Sequence, residues 1–219
     1  MAHDDGLFRI SIRNQEVTPL NVVPIATSVE QFGADHMIVT EWTTARSRSF
    51  LIRIEGLRII KEMPFAVAAV APNLKRILAT RRAAPGSERL MKDGVPVPAP
   101  WCFLDESFSV VSEFEASFWP KDNEIRDMHI GGFDWKGLIL ECAFTPDGEF
   151  AVIVENARMI VVRETSTGKA IQMMDPYFGE TGIVSSVTLD HTGTYLITGG
   201  QMNSPDPKGN GVAVWERVK

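Results

Sequence analysis

Hydrophobic positions along this chain fall in short runs separated by polar residues and turn formers. In the C-terminal third, apolar runs cover residues 151–154 and 159–162, and an alternating segment covers residues 211–216. Apolar runs of about four to eight residues that are bounded by Gly, Pro, Asn and Asp are typical of β-strands. No segment joins a capping residue to a sustained apolar stripe with the helical period of about 3.6 residues. The pattern therefore predicts an all-β fold.

A turn with a strand on each side recurs along the chain. In its clearest copy an apolar strand ends at Phe144, and the turn Pro146-Asp147-Gly148 leads into a strand that starts at Phe150. Gly148 can supply the positive φ that such a turn requires, because glycine has no Cβ. Two further strands, joined by a Thr-Gly-Lys turn, complete a predicted four-stranded sheet.

Other copies of this turn are spread over the rest of the chain. The second copy has Gly193, which lies 45 residues after Gly148, and it continues into the strand at 211–216. Fainter copies bring the total to five, and their apolar anchors are residues 32, 70, 103, 144 and 189. A sheet repeat of about 20 to 50 residues is typical of stacked or circular arrays, because one small sheet cannot bury both its faces alone.

The repeat resembles that of the WD-repeat β-propellers, most clearly over residues 138–219. Residues 144–150 follow the family's turn and strand pattern, Trp215-Glu216 stands in for its closing Trp-Asp pair, and Arg163-Glu164 is a looser match. No copy has the family's Gly-His dipeptide, so its buried histidine hydrogen-bond network is expected to be missing. The resemblance implies a β-propeller that serves as a scaffold for other proteins.

Composition is consistent with one sizeable domain. The chain has 219 residues, of which 44% are hydrophobic and 23% charged. At this length about 70% of the surface of the unfolded chain can be buried on folding. We expect a single β-propeller domain over residues 1–219, with closing strands in residues 1–23 and about five blades in residues 24–219.

Closure of the ring leaves two alternatives open. The last blade lacks its outermost strand, because the sequence stops shortly after the strand at 211–218. An N-terminal segment, 7–12 or 16–20, that pairs with it would remove an exposed sheet edge. The other alternative is an open arc that a second propeller chain or another copy of this chain completes.

Charge and targeting signals narrow the classes of partner. The net charge is −6, which argues against a protein that mainly coats nucleic acid or an anionic membrane. The acidic N-terminus lacks the basic and then apolar order of a secretory signal. The longest apolar stretch, residues 65–71, is far shorter than the roughly 20 residues of a membrane span. We expect an intracellular, cytoplasmic protein without a membrane span.

Candidate chemistry is sparse in this sequence. The four histidines are far apart, and none has the spacing of a metal-ligand pair. Gly168-Lys169 lacks the earlier glycine of a phosphate-binding loop, and Gly131-Gly132 lacks the third glycine of a dinucleotide fingerprint. The sequence therefore predicts no catalytic residue, cofactor or metal, and we expect that the protein is not an enzyme.

Partner contacts are the prediction that remains. Residues 75–92 carry six basic residues and one acid, whereas residues 105–127 carry seven acids and two basic residues. Arginine pairs bidentately with acidic groups, exposed aromatic residues anchor interfaces, and the long loop at 200–211 is a natural contact. The predicted partner-binding residues are Arg81, Arg82, Arg89, Phe133, Trp135, Asn203, Asp206 and Lys208.

Three functions are compatible with these observations. The first is a non-catalytic protein-interaction scaffold, either within a larger complex or beside a second propeller chain. The second is a propeller that binds a small ligand or catalyses a reaction in its axial channel. The third is a nucleic-acid-binding accessory subunit that uses the basic stretch at residues 75–92. We expect the first.

Overall fold

The computed structural model shows the protein as antiparallel strands joined by short turns. Within the described residues, the helical structure is a single 3-10 turn, Glu55–Leu57. No helix in these ranges has the length and hydropathy that crossing a membrane requires. The residues that the structure describes are 2–3, 6–10, 17–19, 23, 26–42, 47–80, 91–92, 95–96, 100–116, 139–156, 159–174, 182–202 and 210–216.

The first seven strands form two sheets. They are β1 (Ala2–His3), β2 (Gly6–Ile10), β3 (Val17–Pro19), β4 (Ser28–Phe32), β5 (His36–Trp42), β6 (Ser47–Arg53) and β7 (Arg58–Met63). The sheet orders are β1-β2-β3 and β4-β5-β6-β7, so neighbours in sequence are neighbours in each sheet. This order is typical of strands joined by short turns.

The next six strands follow a less regular path. They are β8 (Ala66–Val70), β9 (Ile77–Thr80), β10 (Met91–Lys92), β11 (Val95–Pro96), β12 (Trp101–Leu104) and β13 (Val110–Phe114). Strands β10 and β11 pair with each other, and the other four form a sheet in the order β13-β12-β9-β8. The repeat copies anchored at residues 70 and 103 therefore belong to one sheet, and their assignment to separate blades was wrong. The pair β12-β13 is itself a strand, turn and strand, so in sequence it looks like the start of a new sheet.

The last seven strands show the predicted repeat most clearly. They are β14 (Ile139–Phe144), β15 (Phe150–Glu155), β16 (Met159–Glu164), β17 (Ala170–Met174), β18 (Gly182–Leu189), β19 (Tyr195–Met202) and β20 (Asn210–Glu216). They form a four-stranded sheet, β14-β15-β16-β17, and a three-stranded sheet, β18-β19-β20. Gly148 has a φ of 69°, which confirms the left-handed turn predicted between β14 and β15.

The chain forms two compact units, the first of which contains residues 1–70 and 79–99. Two buried hydroxyl groups connect β5 and β6 to β8 in this unit. The Oγ1 of Thr40 donates to the carbonyl of Val67 at 3.0 Å, and the amide of Val67 donates to the Oγ of Ser49 at 3.0 Å. The apolar core beside them consists of Val23, Ala26, Val39, Phe50 and Ile52.

The second unit contains residues 71–78 and 100–219. Its aromatic side chains pack together, because the ring centroid of Phe103 lies 5.1 Å from that of Phe114 and 6.1 Å from that of Phe144. A second cluster fills the space between the sheet β14–β17 and the sheet β18–β20. It consists of Val152, Val154, Ile160, Val184, Val187 and Leu196.

The predicted all-β class is confirmed by these sheets, whereas the number of blades and the closing strand stay predictions. Strand β2 pairs on both sides within its own sheet, and β20 is an edge strand of its sheet. Within the described residues, no segment of the first 23 residues pairs with β20.

Candidate functional site

The structure does not test the partner-binding residues that the sequence predicts. All of them lie outside the described ranges, so they are neither brought together nor separated. They are Arg81, Arg82, Arg89, Phe133, Trp135, Asn203, Asp206 and Lys208. The candidate site consists of other residues, all of them in the second unit.

A row of equivalent turns organises the second unit. The amide nitrogen of the Asn73 side chain donates to the carbonyl of Asp147 in the turn between β14 and β15. A Cβ placed on Gly193, in the turn between β18 and β19, would lie only 3.0 Å from the Cδ of Pro146. Each turn thus contacts the next copy of the same turn. This contact is the spatial counterpart of the repeat that the sequence shows.

An aspartate stabilises the last turn of this row. Asp190 Oδ1 accepts hydrogen bonds from the backbone amides of Thr194 and Tyr195, both at 2.7 Å, and Oδ2 accepts one from the hydroxyl of Thr192. The hydroxyl of Thr192 and these amides lower the pKa of Asp190 to about 2, because they stabilise the ionised carboxylate. The turn is therefore fixed beside the start of β19.

A buried arginine holds the four-stranded sheet of this unit together. Arg163 on β16 donates from Nε to Glu155 Oε1 at 2.6 Å and from Nη2 to Glu155 Oε2 at 3.1 Å. Its Nη1 donates to the carbonyl of Gly168 at 2.7 Å, and Nη2 also reaches the carbonyl of Glu115 at 3.0 Å. The guanidinium carbon lies 4.3 Å from the ring centroid of Phe114. Such full pairing is what the burial of a charged group requires.

The sequence reasoning missed this ion pair. Arg163 entered it only as part of a loose match to a Trp-Asp dipeptide, and Glu155 did not enter it. A usable signal was present, since each charge stands at the end of a strand whose other residues are almost all apolar. A charge in that position needs a buried partner, but the sequence does not show which strands lie side by side.

A cleft opens between the sheet β14–β17 and the sheet β18–β20. Its volume is about 390 Å³, which lies within the range of ligand-binding pockets. Phe150, Val162 and Met174 line one wall. Leu196 and Trp215 line the other wall, and Glu216 lies at its end. The Nε1 of Trp215 donates to the Oγ1 of Thr198 at 3.1 Å, so the indole presents its apolar ring to the cleft.

The face of the last sheet that points away from this cleft is apolar and exposed. The exposed fractions are 43% for Tyr195 and 37% for Ile197 on β19, and 74% for Val212 and 65% for Val214 on β20. Ile197 and Val214 are direct cross-strand neighbours, so these side chains form one continuous patch. We call these four residues the last-sheet patch.

The described residues show no metal centre. No group of three or more His, Cys, Asp and Glu side chains among them is placed to hold a metal ion. The cleft offers apolar walls and a few neutral polar groups. Such a lining is suited to binding an apolar group.

Comparisons with known proteins concern the fold. No protein-family model matches the chain, and no curated protein matches its sequence. Its structure is similar to the β-propeller domain of Cps50 (Swd1) from Myceliophteria thermophila, with a TM-score of 0.56 and 12% sequence identity. The match covers 97% of this chain and 65% of that domain, so the chain spans less than two thirds of the length of the solved structure. The likeness supports a β-propeller fold.

Proposed function

We propose that this chain is a non-catalytic β-propeller scaffold that binds other proteins as a subunit of a larger assembly. The last-sheet patch is the observation that carries the proposal. Large apolar side chains grouped on one exposed surface are typical of interaction sites, because water disfavours a continuous apolar area. The propeller-like fold supports the proposal, since rigid sheets present such a surface without an ordering cost.

The patch differs from the scattered apolar residues that any protein surface carries. Val214 lies directly beside Ile197, and Tyr195 lies directly beside Glu216, so the patch combines apolar area with a carboxylate at its border. This arrangement of an apolar centre and a charged rim is typical of protein interfaces. The predicted contacts at Arg81, Arg82 and Arg89 would add charge complementarity to acidic partners.

A pair of matched double variants tests the proposal. Val212→Asp with Val214→Asp places two charges in the last-sheet patch, and Ile59→Asp with Ile60→Asp places two on β7. Ile59 and Ile60 have exposed fractions of 42% and 44%, so the second variant controls for the loss of exposed apolar area elsewhere. Tagged proteins would be isolated from cells under native conditions and sized by native mass spectrometry.

We expect the wild-type chain and the β7 variant to be isolated in an assembly of defined stoichiometry with other polypeptides. The patch variant is expected to be isolated as the single 24.3 kDa chain with its melting temperature kept. A wild-type chain that is isolated alone under all mild conditions would contradict the proposal. So would a patch variant whose assembly is as stable as that of the wild type.

A further inference from the structure

We propose that the outer edge of β20 accepts an extended segment of a partner protein as the fourth strand of the last sheet. The segment carries a basic residue beside Glu216 and apolar side chains on both of its faces, and one of these faces fills the cleft. This inference rests on the proposed function, because the occupant is part of a protein partner. It adds the mode of binding and the chemistry of the segment.

Within the described residues, no strand pairs with the outer edge of β20. The sheet β14–β17 has four strands, whereas the sheet β18–β20 has three and ends at β20. Strand β20 pairs with β19 along its whole length, from Asn210 opposite Gln201 to Glu216 opposite Tyr195. Its other edge therefore presents backbone N–H and C=O groups in a row, and such an edge is a ready template for strand addition.

The cleft lies where a fourth strand beside β20 would place its side chains. One of its walls extends to β17, the fourth strand of the preceding sheet, through Gln172 and Met174. The opposite wall ends at β20, through Trp215 and Glu216. A fourth strand beside β20 would face the part of the wall that β17 contributes. The cleft is thus the space that such a strand would fill with side chains.

The apolar pattern of the partner segment follows from the two faces of β20. Side chains alternate between the two faces of a strand. Trp215 lines the cleft on one face of β20, and Val212 and Val214 belong to the last-sheet patch on the other face. A strand paired with β20 contacts both sets through its own alternating side chains. The segment is therefore apolar on both faces.

The charge of the partner segment follows from the residue at the end of β20. Glu216 ends β20 as Glu164 ends β16, the third strand of the complete sheet. The backbone amide of Glu164 donates to the carbonyl of Lys169, the residue that leads into the fourth strand, β17. A basic residue at the start of the segment complements the carboxylate of Glu216.

The occupant is assigned to another polypeptide because the described N-terminal strands of this chain pair with one another. Strand β2 is the central strand of the sheet β1-β2-β3, so both its edges are in use. Strand β3 has only three residues and includes Pro19, which has no backbone N–H to donate. These two strands are the N-terminal candidates for closing the last sheet.

The test uses the full chain and a hexapeptide with the sequence of residues 169–174, Lys-Ala-Ile-Gln-Met-Met, which copies the approach to β17 and the strand itself. Its ends are capped, and binding is followed by fluorescence anisotropy. A control peptide has the same sequence with N-methyl groups on alternate amides, because these remove the donors that strand addition needs. We expect saturable binding of the first peptide and at least tenfold weaker binding of the control.

Charge variants test the role of Glu216. Glu216→Lys is expected to weaken binding at least fivefold, and a peptide with Glu in place of its Lys is expected to recover most of this loss. Glu164→Lys is the matched control, because Glu164 has the same position in the sheet β14–β17, where the fourth strand is present. The Glu164→Lys variant is expected to bind the peptide as tightly as the wild type. Amide exchange should slow on β20 and not on β16.

Three results would overturn the inference. They are equal binding of the N-methylated peptide, protection on strands other than β20, and slow exchange, in the chain alone, of the β20 amides that point away from β19. If the peptide fails while the native assembly still depends on Val212 and Val214, only the strand-addition mode is wrong. If the peptide binds while no assembly exists in cells, the proposed function is wrong.

Discussion

The two neighbouring sheets of the second unit share a plan and differ by one strand. In the sheet β14–β17 every residue of the third strand, β16, is buried or half-buried. In the sheet β18–β20 the third strand is exposed at Val212, Val214 and Glu216. The first turns of the two sheets are alike, with φ near 70° at Gly148 and Gly193. The faces of β16 are covered by Phe114 and by the cluster that contains Val184 and Leu196, whereas the patch face of β20 is exposed, and the turn is the same in both sheets.

The third strands also satisfy their polar groups differently. Arg163 of β16 is buried and uses Glu155 and the carbonyl of Gly168, which belongs to the turn into the fourth strand. Trp215 of β20 needs only one partner, the hydroxyl of Thr198. A buried arginine is thus found in the sheet whose fourth strand helps to satisfy it, and an indole in the sheet that lacks this strand.

The largest expected effect comes from removing the buried arginine. Arg163→Met keeps most of the side-chain volume but leaves Glu155 buried without its partner, which should lower the free energy of unfolding by about 3–5 kcal/mol. Trp215→Phe in the open sheet is the control, and the loss of one hydrogen bond should cost about 1 kcal/mol. Urea unfolding measures both, and equal losses would contradict the comparison.

The second largest difference in stability between the two sheets is expected from the truncation of one isoleucine in each sheet. Ile160 on β16 is fully buried, so Ile160→Ala should cost about 2–5 kcal/mol through lost contacts and a cavity. Ile197 on β19 is 37% exposed, and Ile197→Ala should cost less than about 1 kcal/mol in the chain alone. Chemical unfolding of the two variants would refute the comparison if Ile197→Ala cost as much as Ile160→Ala.

Turn substitutions should show no difference between the sheets. Gly148→Ala and Gly193→Ala each force a residue with a Cβ into a left-handed conformation, at a cost of about 1–2 kcal/mol. The new Cβ would also lie 3.0 Å from Asn73 in one turn and 3.0 Å from Pro146 in the other. Thermal unfolding should give similar losses for both variants. Losses that differ severalfold would show that the missing strand affects the turn as well.

The smallest expected effect is a pH dependence at the turn between β18 and β19. The pKa of Asp190 lies at about 2, below its ordinary value of 3.8. Its contribution to stability is therefore present above about pH 4 and is lost as the pH falls toward 2. Between pH 4 and pH 2, the melting temperature of the Asp190→Asn variant should depend less on pH than that of the wild type. An unchanged acid dependence would show that Asp190 does not contribute.

Local signals explain what the sequence predicted of the fold. The strands and turns over residues 144–174 follow from short apolar runs and from glycines at the turns, which act within a few residues. The pairing of β12 with the same sheet as β8 depends on contacts across many residues, so the copy at residue 103 was counted separately. The partner of Arg163 is hidden for the same reason. The repeated turn was found because its clearest copies carry local turn formers such as Gly148 and Gly193.

The candidate site was predicted less well than the fold. Charge runs and aromatic residues led to Arg81, Phe133 and Lys208, which lie outside the described residues. The cleft and the last-sheet patch belong to a sheet that has three strands within the described residues, and no local residue pattern in the sequence marks such a surface. Only the count of strands in that sheet, already noted as one short, pointed toward β20.

Amide exchange along β20 in the isolated protein tests most directly whether the last sheet is open. In an edge strand alternate N–H groups point away from the sheet, so they exchange with solvent while the others are protected. We expect this alternation over residues 210–216 of β20, and slow exchange throughout β16, which pairs on both sides. Uniform protection of β20 would mean that its outer edge is already paired, and it would contradict the open last sheet.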